Sequence, residues 1–145
     1  MLITDEQLKR LIINTGLTDE KGYEKIEKYA QNADISVNDA LIERDIISDD
    51  NLGLLIADYL KFPFVVLTKK NIPSEVFHII PEKLARKQKV IPFELNANGI
   101  KLAMADPSNK EVQETISKKT EMPVIPYLAT EQDIYNTLRI YRKNL

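Results

Sequence analysis

The stretch NDALIERDIISDDNLGLLIADY, residues 38–59, decides the first half of the fold because it repeats a pattern found thirty residues earlier. One pair of short amphipathic helices buries too little apolar surface to be stable alone, whereas two facing pairs form a small core. We therefore predict a helical tandem-repeat subdomain over residues 1–61. The matched residues are Leu11 with Leu41, Ile12 with Ile42, Leu17 with Ile47, Thr18 with Ser48, Asp19 with Asp49, Ile26 with Ile56, and Tyr29 with Tyr59.

Side chains that cap helix N-termini precede each of the four apolar patterns. Such side chains accept a hydrogen bond from a backbone N–H group that has no partner within the first turn of the helix. They predict four short amphipathic helices. The candidate caps are Thr4 with Gln7 as a capping box, Thr18 or Asp19, Ser36, and Ser48.

Beyond residue 61 the periodicity changes to that of strands. The apolar run PFVVL (63–67) predicts a buried strand. The segment VIPFELNANGIKLAMAD (90–106) alternates like a hairpin, and its Asn98–Gly99 dipeptide predicts the turn. The run PVIPYLA (123–129) predicts another strand, and its two prolines favour a position at an edge of the sheet or at the end of a strand.

Prolines and polar caps place helices among these strands. Pro73 and Pro81 predict short helices over 73–79 and 81–87. Asp106 followed by Pro107 predicts the start of a helix, and Thr130 with Asp133 caps the last one. The predicted fold class is α+β. A four-helix repeat subdomain precedes an α/β subdomain, residues 62–145, with a small mixed sheet in the order β-α-α-β-β-α-β-α.

The composition excludes several kinds of chemistry. The 145 residues contain no Cys and one His, which excludes disulfides and paired-histidine zinc motifs and makes most catalytic triads impossible. The four glycines lack P-loop and Rossmann spacing. No apolar run has the length of a membrane span, and the net charge of −2 does not favour nucleic acid. We predict a cytoplasmic protein that is not an enzyme.

Two charged groupings are candidate sites. The basic residues Lys83, Arg86, Lys87 and Lys89 could receive a phosphate or an acidic partner, or they could form a solvated helix face. The aspartates Asp45, Asp49 and Asp50 could hold a divalent cation, but acids at a helix N-terminus also complement the helix dipole, and we favour that interpretation. We predict no metal site and no bound cofactor in this chain.

Several motifs occur together in the order found in one known family. They are KFPFVVL (61–67), IPEKLARKQKVIP (80–92), LAMADP (102–107) and ATEQDIYNTL (129–138). Together they resemble the MshEN-like N-terminal domain of type II secretion and type IV pilus assembly ATPases. The resemblance implies a domain outside the ATPase core, with ATP and magnesium bound only by a downstream motor domain. It also implies docking to the cytoplasmic domain of an inner-membrane assembly protein, and contact with the motor's own ATPase domain.

The resemblance also bears on the repeat, because in one branch of the family a doubled pattern, RLGxxLVxxGxIxxxxLxxxLxxQ, binds cyclic di-GMP. Here its second copy has Ser36, Val37 and Asn38 in place of Arg-Leu-Gly, and Tyr59 in place of Gln. The apolar positions are retained, whereas those that would hold the ligand are changed. We predict that the repeat mainly serves folding and that tight cyclic di-GMP binding is absent. Any remaining nucleotide site would comprise Ser36, Val37, Asn38, Leu41, Ile42 and Tyr59.

Overall fold

The computed structural model describes residues 2–143, which form two compact units. The first unit runs to Ile56 and the second begins at Ala57, so the boundary falls within a helix. The predicted subdomain limits, 1–61 and 62–145, remain predictions. The helical unit is built from α1 (Asp5–Asn14), α2 (Glu20–Ala33), α3 (Val37–Glu43) and the first part of α4 (Asp49–Leu60).

The predicted caps of the helical unit are confirmed. The Thr4 hydroxyl accepts the Gln7 N–H, and the Gln7 side chain accepts the Thr4 N–H, which completes a capping box. Of the two candidates for α2, Asp19 is the cap. The other cap bonds run from Gly22 N to Asp19 at 2.8 Å, from Asp39 N to Ser36 at 3.0 Å and from Asn51 N to Ser48 at 3.1 Å.

The structural repeat is twenty-nine residues long, one fewer than the spacing of the sequence identities. Gly16 and Asp45 both adopt positive φ after a helix, at 78° and 59°, and Asp19 and Ser48 both cap the helix that follows. Two pairs of buried residues share this spacing: Ile12 and Leu41 are fully buried, and Tyr23 and Leu52 are nearly so. In this register the first copy of the family pattern begins at Gln7 and retains a glycine at Gly16.

The second unit contains a three-stranded sheet in the order β1-β2-β3. β1 (Val90–Asn96) and β2 (Gly99–Met104) are antiparallel, and β3 (Val124–Leu128) is parallel to β2. β3 lies at an edge as predicted, and both edge strands contain a proline, Pro92 and Pro126, which limits pairing with a further strand. The helices are α5 (Ser74–Phe77), α6 (Glu82–Gln88), α7 (Lys110–Thr120) and α8 (Glu131–Lys143).

Both faces of this sheet are covered by helices. On one face, Ile91 and Ala103 pack with buried residues of α5 and α8. On the other, Leu102 and Met104 pack with Val112 and Ile116 of α7. Ala103 is small, which leaves room for Phe93 of β1 and Tyr127 of β3 to meet over it with ring centroids 5.1 Å apart. The predicted α+β class is therefore confirmed, with eight α-helices and three strands in residues 2–143.

The prediction that PFVVL (63–67) is a strand is wrong. Phe64 makes a single parallel bridge to Leu128, and the chain then turns into a 3-10 helix, Leu67–Lys69. The carboxylate of Asp133 on α8 accepts the N–H groups of Leu67 and Thr68, so these groups are unavailable to a ladder. The observed order of the second unit therefore lacks the first predicted strand.

The predicted starts of three helices shift by one or more residues. Pro73 and Pro81 occupy the N-cap positions of α5 and α6. Each helix therefore begins one residue later than predicted. Asp106 does not cap α7. It accepts the Ser108 N–H at 3.0 Å in a separate turn, and Asn109 caps the helix instead.

The hairpin turn also differs from the prediction. Asn96 pairs with Gly99, so the two turn residues are Ala97 and Asn98. Only Gly99 has positive φ in this hairpin, at 134°. A Cβ at Gly99 would meet the carbonyl oxygen of Pro123. The same oxygen accepts the N–H of Ile100 at 2.9 Å. Glycine is therefore required here both for its backbone conformation and for the close approach of β3.

Candidate interaction sites

The predicted basic cluster lies on and just after α6, and all four side chains are exposed. Two of them are paired within the chain. Arg86 forms an ion pair with Glu82 at 3.3 Å, and Lys89 forms one with Glu131 of α8. Lys83 and Lys87, one helical turn apart, have no ion pair within residues 2–143. The cluster therefore presents two available ammonium groups where the sequence shows four cations.

Five of the six residues of the predicted nucleotide site lie in the helical unit, and the site remains a prediction. Ser36 uses its hydroxyl to cap α3, while Leu41 is fully buried. Asn38 is half-buried, and its side-chain oxygen has no hydrogen-bond partner within the described chain. Tyr59 is 44% exposed and belongs to the second unit. Val37 is half-buried in the first turn of α3, and Ile42 lines a cleft.

That cleft lies within the helical unit and has a volume of about 520 Å³. It opens where the turn between α1 and α2 meets the turn between α3 and α4. No Lys or Arg lines it. Its eight lining residues are half apolar and half polar, namely Leu17, Ile42, Ile46 and Ile47, with Asp45, Ser48, Asp49 and Asn51.

Local backbone geometry produces the cleft. Asp45 adopts the left-handed conformation, and the N–H of Ile46 then bonds to the carbonyl of Leu41 at 2.9 Å, which ends α3. In the equivalent turn, the N–H of Leu17 donates to the Thr15 hydroxyl at 3.2 Å. Leu17 is left 48% exposed beside the second turn. Its position in the repeat is visible in the sequence, but its exposure is not.

Several cations of the helical unit interact outside this cleft. Lys9 pairs with Glu20 at 3.2 Å, and this hydrogen bond raises the pKa of Lys9. The guanidinium of Arg44 lies 5.1 Å from the ring centroid of Tyr29. The Tyr29 hydroxyl donates to Glu43 at 2.9 Å, which raises the pKa of Tyr29. None of these three side chains is among the residues that line the cleft.

Neither a metal centre nor a membrane span emerges from residues 2–143. No three His, Asp or Glu side chains in this range are grouped to hold a metal ion, and no helix in it is long and apolar enough to cross a membrane. His78 is exposed at the end of α5, with Nδ1 2.8 Å from the Ser74 carbonyl oxygen. A second, smaller groove of about 220 Å³ lies beside α7 and the start of β3.

A family model described as the MshEN domain matches residues 60–144, more than half of the chain. The chain belongs to the MshEN domain family. The resemblance stated from the sequence motifs is therefore confirmed. The matched region contains the α/β unit and excludes most of the helical repeat, so family membership rests on the sheet and its helices.

Known relatives extend the similarity into the helical unit. The type IV pilus assembly ATPase PilB of Thermus thermophilus is 27% identical over 134 residues, which are 90% of this chain and 15% of that protein. PilB of Myxococcus xanthus is 20% identical over 135 residues, 93% of this chain and 24% of that protein. This chain therefore spans less than a quarter of the length of these relatives.

Two solved structures share the fold. The structure of MshE with cdg, an abbreviation of cyclic di-GMP, has a TM-score of 0.67 at 21% identity and covers 92% of this chain and 97% of that one. The N-terminal domain of XpsE has a TM-score of 0.53 at 12% identity, with 96% of this chain and 97% of that one covered. At these identities the likeness concerns the fold.

Proposed function

We propose that this chain is the non-catalytic N-terminal domain of a type IV pilus or secretion motor ATPase. In this proposal it docks the motor on the cytoplasmic domain of an inner-membrane assembly protein and transmits the motion of the motor's own ATPase domain. It works in the cytoplasm, at the inner membrane through that partner. ATP and magnesium bind only in the downstream motor domain.

One observation carries this proposal: 90% of the chain aligns with a pilus assembly ATPase while spanning 15% of it. The chain's own features agree. The composition lacks the glycine pattern of a P-loop, so the nucleotide chemistry must lie elsewhere in such a protein. The second unit has helices on both faces of its sheet, and α8 is hydrogen-bonded to the segment 67–72. Such an arrangement suits a domain that transmits force.

Co-purification tests the proposal directly. Full-length motor protein should retain the cytoplasmic domain of its assembly protein, and deletion of residues 1–145 should abolish retention while the remaining ATPase still hydrolyses ATP. Retention by the truncated motor would contradict the proposal.

Charge reversal then tests the basic cluster as the contact surface. Lys83→Glu with Lys87→Glu should weaken retention about tenfold or more if these groups meet acidic residues of the partner. Lys118→Glu with Lys119→Glu, exposed at the end of α7, is the matched control. Unchanged retention in the α6 variant would mean that this face is only solvated.

A second candidate function is cyclic di-GMP sensing, favoured by the fold shared with the structure of MshE with cdg. Against it, cyclic di-GMP carries two negative charges, whereas Asp45 and Asp49 line the cleft of the helical unit. A charge-assisted hydrogen bond contributes about 1.5–3 kcal/mol, and about 1.4 kcal/mol is a tenfold change in affinity. Loss of the Arg and Gln positions of the pattern should therefore weaken binding by orders of magnitude.

A further inference from the structure

We propose that the cleft between the α1–α2 and α3–α4 turns binds a cationic amphipathic segment of a partner protein. An apolar side chain of the segment packs against Leu17 and Ile42, and an Arg or Lys of the segment meets Asp45. This proposal deepens the proposed docking function and rests on it, because it assigns the helical unit its own contact with a partner.

The apolar part of the cleft is one reason for this assignment. Leu17 is a large apolar side chain at 48% exposure, and the half-buried Ile42 and Ile46 continue the same surface inside the cleft. A volume of about 520 Å³ is within the range of sites that enclose a side chain or a small ligand. An apolar side chain of a partner would remove Leu17 from water without requiring the helices to move.

The negative charge of the cleft determines which kind of segment can bind there. Asp45 is exposed, and its side chain has no hydrogen-bond or ion-pair partner within residues 2–143. Asp49 lines the same cleft and adds to its negative charge. The same charges oppose anionic lipid, nucleic acid and cyclic dinucleotide. A segment that alternates apolar and basic side chains complements both the apolar and the acidic residues of the cleft.

Selection from a random peptide library on the immobilised chain tests this assignment. Enriched peptides should combine Leu, Ile or Phe with Arg or Lys three or four residues away. The tightest peptide is then titrated against variants of the chain by fluorescence anisotropy. Leu17→Ser and Asp45→Asn should each weaken binding about tenfold. Asparagine also tolerates the left-handed conformation, so Asp45→Asn keeps the turn.

Matched control variants distinguish binding at the cleft from nonspecific apolar contact and from a general effect of surface charge. Leu54→Ser removes a leucine of similar exposure, 45%, from α4 of the same unit but outside the cleft. Glu24→Gln removes an exposed carboxylate of α2. Both controls should leave the affinity unchanged.

Two results would overturn the assignment. One is a selection that enriches acidic or neutral peptides, or none at all. The other is equal weakening by the control variants. These measurements need only this chain, so their failure leaves the motor-docking proposal standing. Conversely, failure of the assembly protein to bind the full-length motor would overturn the proposed function even if the peptide consensus were as expected.

Discussion

The carboxylate of Asp133 accepts the backbone N–H of Leu67 at 2.6 Å, which joins α8 to a turn 66 residues earlier in the chain. Its other oxygen accepts the N–H of Thr68 at 3.2 Å. Asp133 is only 6% exposed, so the two bonds also satisfy a carboxylate that burial would otherwise penalise. This contact ends the extended segment after Phe64 and fixes the 3-10 helix against α8.

Replacing Asp133 by Asn should destabilise the α/β unit by about 1–3 kcal/mol, because one acceptor oxygen becomes an NH₂ group facing a backbone donor. Urea unfolding followed by circular dichroism measures the effect. Glu111→Gln, an exposed position on α7, should change stability by less than about 0.5 kcal/mol. Equal stabilities of the two variants would show that the carboxylate contributes nothing.

Tyr141 provides a second bond between α8 and the same loop. Its hydroxyl accepts the Ile72 N–H at 2.9 Å and donates to the Ile72 carbonyl at 3.0 Å, while its ring stacks on Phe77. Tyr141→Phe keeps the stacking but leaves both backbone groups without this partner, so we expect a loss of about 1–3 kcal/mol in unfolding free energy. Tyr135→Phe, on the exposed side of α8, is the control and should be near neutral.

Gly99 and Gly16 differ in what surrounds them, although both have positive φ. Gly16→Ala meets nothing within 4 Å, so only the backbone conformation opposes it, at about 1–2 kcal/mol. Gly99→Ala should cost more, because its Cβ also meets the Pro123 carbonyl. Thermal unfolding of the two variants compares them directly, and an equal loss at both sites would contradict the close approach at Gly99.

Stability should fall at alkaline pH because of Tyr23. Burial, reinforced by nearby acidic residues, raises the pKa of Tyr23 from 10.0 to about 12. Between these values the unfolded chain loses the phenolic proton while the folded chain retains it, so stability falls as pH rises, by at most about 1.4 kcal/mol for each pH unit. Urea unfolding at several pH values should show a smaller alkaline loss in Tyr23→Phe. The same pH dependence in both proteins would place the alkaline loss elsewhere.

Local chemistry explains which features of the fold were predictable. Caps such as Thr4 and Ser48 act on N–H groups three residues away, so the sequence contains all that decides them. The strand predicted at 63–67 failed because Asp133, distant in sequence, takes the N–H groups of Leu67 and Thr68. The pattern of residues 63–67 alone does not show that a distant side chain takes these N–H groups.

The candidate sites show the same division between local and distant effects. The basic residues of α6 were identified by their spacing, but the pairing of Lys89 with Glu131 depends on how α8 packs. The cleft was not predicted, since Leu17 and Ile42 come together only when the two copies of the repeat face each other. The doubled pattern was the one feature of the sequence that pointed to this cleft.

Calorimetric titration of the intact chain with cyclic di-GMP is the most direct test of the central claim that the repeat retains its folding contacts and not its nucleotide-binding groups. A known cyclic di-GMP-binding protein is titrated in parallel as the positive control. The account predicts no binding heat from this chain at micromolar ligand, because Ser36 caps α3, Leu41 is buried and Asp45 opposes an anion. A saturable isotherm with a micromolar or lower dissociation constant would contradict it.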